Sequence, residues 1–329
     1  MKQLLRQLTQ IPAPSGYEHQ IREAISEAVK PYADEITTDA LGNLIVRKGQ
    51  AGRGKRIMLA AHMDEIGLMV AHLEEGGFAR FAPIGGVRPA YCLGGRVRFL
   101  NGRVGVINQE KTPDPAKTPT LDQLFIDLGT PNHDIQVGDV AAFDRTFEDL
   151  GERVVSKALD DRVGVAVLIE TLRRLKTSPH EVYFVFSAQE EVGVRGATTA
   201  AYALAPDIGI AVDVTGWGDT PKVPPMVDVS LGKGPAIKIR DSGMLADPRV
   251  VDWMIASAER AKIPYQREVL LRGSTDARAI QLSRAGVPAG TLSIPCRYVH
   301  SPSEMIDIRD AENAVDLLVA MLSREVTCC

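Results

Sequence analysis

The sequence predicts an α/β protein: a mainly parallel sheet flanked by helices, with a small β-barrel inserted into it. Three observations predict this. Amphipathic helical stripes alternate with short continuous apolar runs, a glycine-punctuated stretch interrupts the alternation, and residues able to bind metal or move protons stand where the apolar runs stop.

Ile21, Ala24, Ile25, Ala28 and Val29 recur at the spacing of one helix face. Val250, Val251, Met254, Ile255 and Ala258 form a second stripe behind Asp247-Pro248, which supplies a cap and a first-turn proline. Ala311, Ala314, Val315, Leu318 and Leu322 make a third. Leu4, Leu5, Leu8 and Ile11 also lie at helical spacing among polar residues. A signal peptide would show a continuous apolar centre instead, so the reading is of a mature, cytoplasmic protein.

The apolar runs 57–61, 182–186, 208–212 and 289–294 suit strands buried on both faces of a parallel sheet. Between 66 and 155 the texture changes to short Val, Phe and Ile segments broken by Gly85-Gly86, Gly94-Gly95, Gly102, Gly105 and Gly138. No long helical period survives there. Such texture predicts a small all-β unit, interrupted by a loop with Pro113, Pro115 and Pro119. The expected organisation is a discontinuous α/β domain, 1–65 and 156–329, with 66–155 inserted.

Composition excludes several classes. With 38 basic and 42 acidic side chains and a net charge of −4, there is no basic stripe for a phosphate backbone, so no nucleic-acid partner is expected. No apolar run approaches the roughly 20 residues of a membrane span. Cys92, Cys296, Cys328 and Cys329 show neither CxxC spacing nor a disulfide framework and read as free thiols, the terminal pair without an assigned role.

The chemistry gathers at the ends of the apolar runs. The first ends in His62-Met63-Asp64, the second leads into Glu190-Glu191, the third stops at Asp213, and the fourth runs on to His300. Ligands in open α/β sheets bind beyond the carboxyl ends of strands, so these residues can converge. A fifth element, Asp160-Asp161, opens a helical stripe of Val163, Val167, Leu168 and Leu172. Two adjacent carboxylates at a helix start can also be read as a cap that complements the macrodipole.

Charge arithmetic favours a pair of ions. Two divalent cations bring +4, Asp160, Glu191 and Asp213 bring −3, and a bridging hydroxide would bring −1. With His62 and His300 as nitrogen donors, each ion has two private ligands and one shared. Asp64, two residues after His62, is placed to accept the proton of the non-ligating imidazole nitrogen. Adjacent side chains diverge from extended backbone, so one of Glu190 and Glu191 is expected to bind metal while the other moves the proton of the attacking water. The mixed nitrogen and oxygen donors suit Zn, Co or Mn.

Together, His62-Met-Asp-Glu-Ile-Gly67, Lys157-Ala-Leu-Asp160-Asp161-Arg162, Gln189-Glu190-Glu191-Val-Gly193, Val212-Asp213-Val-Thr215 and Tyr298-Val-His300-Ser-Pro302 resemble the M42 family of metallo-aminopeptidases, which includes the TET and glutamyl aminopeptidases. The match spans nearly the whole chain. The resemblance implies a zinc-peptidase-like domain in which His62 and Asp213 hold one ion, Glu191 and His300 the other, and Asp160 bridges them. Glu190 becomes the general base, and the Asp160–Asp161 peptide is implied to be cis. It also implies that the β insertion mediates dimerisation, that six dimers build a tetrahedral dodecamer, and that the substrates are peptides with a free N-terminus. Gly273-Ser-Thr-Asp276 resembles a family segment near the substrate; it reads equally as a cap on a helix over 277–285.

Three other readings compete. Asp241-Ser242-Gly243 with a distant histidine would make a serine hydrolase, but Ser242 lacks a nucleophile-elbow pattern. A metal-dependent deacylase of N-acyl amino acids or peptides would use the same ligands. A non-catalytic assembly protein would keep the shell without turnover. Arg240 and Arg272 read either as a pocket for acidic side chains or as surface charges.

Overall fold

The computed structural model describes residues 1–111, 118–222 and 228–326. Pro113, Pro115, Cys328 and Cys329 lie outside the described residues. The four apolar runs become four adjacent strands at the centre of a large mixed sheet, in the spatial order Glu181–Ser187, Arg56–His62, Ile208–Thr215 and Ala289–Arg297. All three pairings among them are parallel. Every residue of Ile208–Thr215 is buried, which explains why these segments read as continuous rather than alternating apolar runs.

Antiparallel strands extend the sheet on both sides. Leu44–Lys48 and Glu35–Thr38 follow Glu181–Ser187 on one edge. Beyond Ala289–Arg297 come Glu304–Asp307, Arg153–Ser156 and Glu148–Asp149, while Ala236–Arg240 and Gln266–Val269 branch from the same strand. The predicted helical stripes form helices His19–Val29, Pro248–Ala261 and Ile308–Leu322. Asp247 caps the second as expected, its carboxylate accepting the Arg249 N–H, with Pro248 in the first turn.

Helix Leu159–Arg174 packs on strands Arg56–His62 and Ile208–Thr215 and against Lys2–Gln10, His19–Val29 and Ile308–Leu322. Arg195–Leu204 and Asp276–Gln281 contact each other and the same sheet. Close approach is visible at Gly209, where an added Cβ would collide with Ile280 of the latter helix. The expected cap near Gly273 falls on Thr275, and its helix ends at Gln281, well short of 285.

The glycine-punctuated segment forms a closed six-stranded antiparallel barrel in the order Gly67–Glu74, Phe78–Ile84, Leu124–Asp127, Val104–Gln109, Arg96–Phe99 and Val140–Phe143. It encloses its own core, including Leu68, Phe81, Val97, Phe99, Ile107, Ile126 and Phe143. Inward and outward side chains alternate along Arg96–Phe99, the period expected of a small barrel wall. Gly67 pairs with Ala142, so the barrel leaves and rejoins the main body at neighbouring positions. Phe147 and Val154 belong to the core of the main body, and Arg153–Ser156 pairs there rather than in the barrel.

Candidate metal centre

Register explains the convergence. Ser187 pairs with His62 at the end of two parallel strands, and Asp213 lies near the end of the next. Each strand therefore delivers its polar residues to the same edge of the sheet. Two ligand groups result: His62, Asp160 and Asp213, and Asp160, Glu191 and His300, each with donor atoms within 4.8 Å of one another. Asp160 is common to both.

His62 Nε2 lies 3.0 Å from Asp160 Oδ1. His300 Nε2 lies 3.4 Å from Asp160 Oδ2 and 3.2 Å from Glu191 Oε2. Glu190 Oε2 stands 4.0 Å from His62 Nε2, beside the groups rather than within them. The seven sequence-derived site residues are thus brought together. Asp160 and Asp161 leave helical geometry inside the Leu159–Arg174 helix, so they form an elbow rather than a cap, and the peptide between them is cis.

A scaffold fixes these side chains. His62 Nδ1 is 3.1 Å from the Asp64 carbonyl oxygen and 3.5 Å from its carboxylate, so the backbone is the nearer acceptor. The Asp64 carboxylate accepts the N–H groups of Glu190 at 2.9 Å and Glu191 at 3.1 Å, and the Ser15 hydroxyl at 2.6 Å. Its position thus aligns both glutamates as well as the histidine. Sequence reasoning missed Glu304, whose carboxylate accepts the N–H of Asp160 and that of His300, each at 2.9 Å. One buried carboxylate thereby ties together two elements far apart in sequence. Its only signal was its place four residues after His300.

Sequence reasoning also missed the ion cluster beneath the site. Lys157 donates to both oxygens of Glu65 at 2.8 and 2.7 Å, and the Arg162 guanidinium lies 3.5 Å from the same carboxylate. Arg162 is fully buried and donates to the carbonyls of Leu8, Ile11 and Met63, joining the first helix to the strand that carries His62. Two glycines of the barrel side make room for the ligands: a Cβ at Gly86 would lie 2.5 Å from His300 Nδ1, and one at Gly85 would lie 3.1 Å from Glu191 Cβ. Gly85 also has a φ of +75°, a conformation glycine adopts without strain.

The electrostatics fit cations. Burial pushes the carboxyls of Asp161, Glu190 and Asp213 well above the usual range, and neighbouring carboxylates add to it. Glu191 is raised chiefly by burial as well. Asp160 moves the other way: burial opposes ionisation, but the hydrogen bonds of His300 and His62 hold its carboxyl well below the usual range. Burial disfavours a charged imidazole, yet Asp160 and Asp64 push His62 well above its ordinary value, and Asp160 and Glu191 push His300 up to about 11. Carboxylates and imidazoles crowded this closely favour positive charge between them, which divalent cations would supply.

The chain's family follows from these residues and their order. Residues 42–317 match the family described as M42 glutamyl aminopeptidase. The chain belongs to the M42 family of aminopeptidases. It is 36% identical to lysyl aminopeptidase of Pyrococcus furiosus, over 97% of this chain and 96% of that protein. An aminopeptidase structure from Desulfurococcus kamchatkensis superposes with a TM-score of 0.93 at 43% identity, covering 98% of this chain and 94% of that one. The TET1 peptidase of Pyrococcus horikoshii, described as assembling into a tetrahedron or a large octahedral shell, gives 0.86 at 33% identity, over 97% and 98% of the two chains. As an M42 member the chain is a metal-dependent peptidase acting on N-terminal residues. No helix among the described residues is long and apolar enough to cross a membrane.

Proposed function

We propose that this protein is a dinuclear metal-dependent aminopeptidase that hydrolyses N-terminal residues from peptides. The observation that carries the reading is the pair of ligand groups sharing Asp160. His62 and Asp213 would hold one ion, Glu191 and His300 the other, and Asp160 both. Bound there, divalent Zn, Co or Mn would supply Lewis acidity, making water acidic enough to attack and polarising the peptide carbonyl.

The chain's own groups do the rest. Glu190 stands free of both ligand groups and takes a proton from the attacking water, then returns it to the leaving amine. Asp64 holds the backbone of Glu190 and keeps His62 oriented. A cleft of 540 Å³ runs over His62, Asp160, Glu190, Glu191, Asp213 and His300 and gives an extended peptide N-terminus access to them.

The discontinuous catalytic unit, which includes strand Arg153–Ser156, carries the ligands, and the inserted barrel, from Gly67 to Phe143, serves assembly. Support comes from the barrel's separate core, from its adjacent ends and from the shell described for the Pyrococcus horikoshii relative. Dimers joined through the insertion would build a tetrahedral dodecamer. The free, buried thiols of Cys92 and Cys296 support a cytoplasmic location.

A substrate panel tests the activity. Leucine p-nitroanilide and its N-acetyl analogue are offered to the metal-loaded protein, with and without a chelator. Chelator-sensitive cleavage of the free amine alone is expected. Release of acetate from the blocked substrate would make the protein a deacylase, and no turnover of either would make it an assembly protein.

A further inference from the structure

Helices Arg195–Leu204 and Asp276–Gln281 pack against each other, and both begin at the edge of the sheet that carries the metal ligands. The first follows soon after Glu190-Glu191 in the chain. At the start of the second, Asp276 accepts the hydroxyl of Ser187, the strand partner of His62. Between the helices lies an open groove of 670 Å³. Val194, Thr198 and Tyr202 form one wall at the four-residue spacing of a helix face, and Arg278, Leu282 and Arg284 line the other. Tyr202 is 63% exposed and Leu282 70%, so two large apolar side chains stand largely uncovered there. No carboxylate lines the groove, in contrast to the ligand site beside it.

The groove and the catalytic cleft are continuous, because Gly193, Val194 and Arg278 border both. The Val194 N–H donates to the Glu190 carbonyl at 2.8 Å, which puts the mouth of the groove one helical turn from the proposed base. Glu190 returns its proton to the leaving amine, and that amine belongs to the second residue of the peptide. The chain beyond the scissile bond therefore departs past Glu190, the side on which the groove opens. From Val194 to Tyr202 the helix rises about 12 Å at about 1.5 Å per residue. An extended peptide advances about 3.3 Å per residue, so the groove spans about four residues.

Its chemistry suits a peptide. Among the described residues the Arg278 guanidinium has no ion-pair or hydrogen-bond partner, so at the mouth it offers free donors to the carbonyl oxygens of a passing backbone. At the far end Arg284 lies 4.5 Å from the centroid of the Tyr202 ring and donates to the Tyr202 carbonyl, which fixes that wall. A second copy of the chain is the competing occupant. A face that served only to join copies would have no reason to open into the metal ligands.

We propose that this groove binds the residues of the substrate that follow the scissile bond, about four of them, with an apolar side chain seated against Tyr202 and Leu282. The inference rests on the aminopeptidase reading above. The test measures initial rates of the first cleavage for Leu-Ala-NH2, which ends before the groove, and for Leu-Ala-Ala-Leu-Ala-NH2, which fills it. Both are amides, so their charges match. Wild type should show a kcat/KM about tenfold or more higher for the pentapeptide, the range of burying one apolar side chain, and a sixth residue should add little. Tyr202→Ala and Leu282→Ser, both at exposed positions, should each remove about threefold or more of that advantage while the dipeptide rate and the metal content stay as in wild type.

Equal kcat/KM for dipeptide and pentapeptide in wild type, which needs no variant to fold, overturns the inference and leaves the aminopeptidase reading intact. Equal losses on both substrates in both variants also overturn it, because the two side chains would then support the fold rather than hold the peptide. A smaller assembly by light scattering with the length advantage retained would give the groove to a second copy, against the inference. No turnover of either peptide by metal-loaded wild type would overturn the aminopeptidase reading itself.

Discussion

Glu190→Gln isolates the proton-transfer step, because the amide keeps the shape of the side chain and loses its basicity. The Glu190 side chain is 13% exposed, and its backbone N–H remains tied to Asp64, so the turn that presents it should persist. Glu190 lies outside both ligand groups, so bound metal should be unchanged. A general base contributes about 10²–10⁴ in rate, or ~3–5 kcal/mol at 1.36 kcal/mol per decade, and kcat should fall by that factor with little change in KM. Stability gives an independent sign. Burial raises the Glu190 carboxyl well above 4.5, so metal-free wild type is stabilised by it at low pH and loses that contribution as pH rises through the folded value. Gln does not titrate, so the metal-stripped variant should melt no lower than wild type at neutral pH. Steady-state kinetics, metal analysis and melting curves at several pH values read all three effects. Near-wild-type kcat in a fully metallated variant would refute the role of base.

Asp160→Ala should empty at least one metal site, since both ligand groups lose a member at once; two ions still tightly bound by elemental analysis would place the bridge elsewhere. Excising the barrel between Gly67 and Phe143 with a short linker should leave a soluble, smaller oligomer, because Gly67 and Ala142 are paired neighbours. Light scattering showing an unchanged assembly would remove the barrel from that role.

The central sheet was legible because its four parallel strands are buried on both faces, which leaves continuous apolar runs such as 208–212. The barrel was legible from glycine spacing, but its end was not. Strand Arg153–Ser156 has the same short, Val-rich texture as the barrel strands, and only pairing with Glu304–Asp307 assigns it to the main body. Residues at strand ends, such as His62 and Asp213, announced themselves by following apolar runs. Glu304 and the cluster of Glu65, Lys157 and Arg162 did not. Glu304 acts through backbone N–H groups of distant residues, and Arg162 becomes unusual only when the fold buries it. Neither property has a local pattern in the sequence. Asp160-Asp161 was legible as chemistry and misleading as structure, because a carboxylate pair at a helix start has the composition of a cap whether or not it forms one.

The most direct test of the dinuclear site is reconstitution of chelator-stripped protein. Zn²⁺ or Co²⁺ is added in steps while bound metal and cleavage of a free-amine p-nitroanilide are followed on the same samples. A dinuclear site requires no activity in the stripped protein and full activity only as the second equivalent per chain is bound. Saturation of activity at one equivalent, or turnover by protein shown to hold no metal, would contradict it.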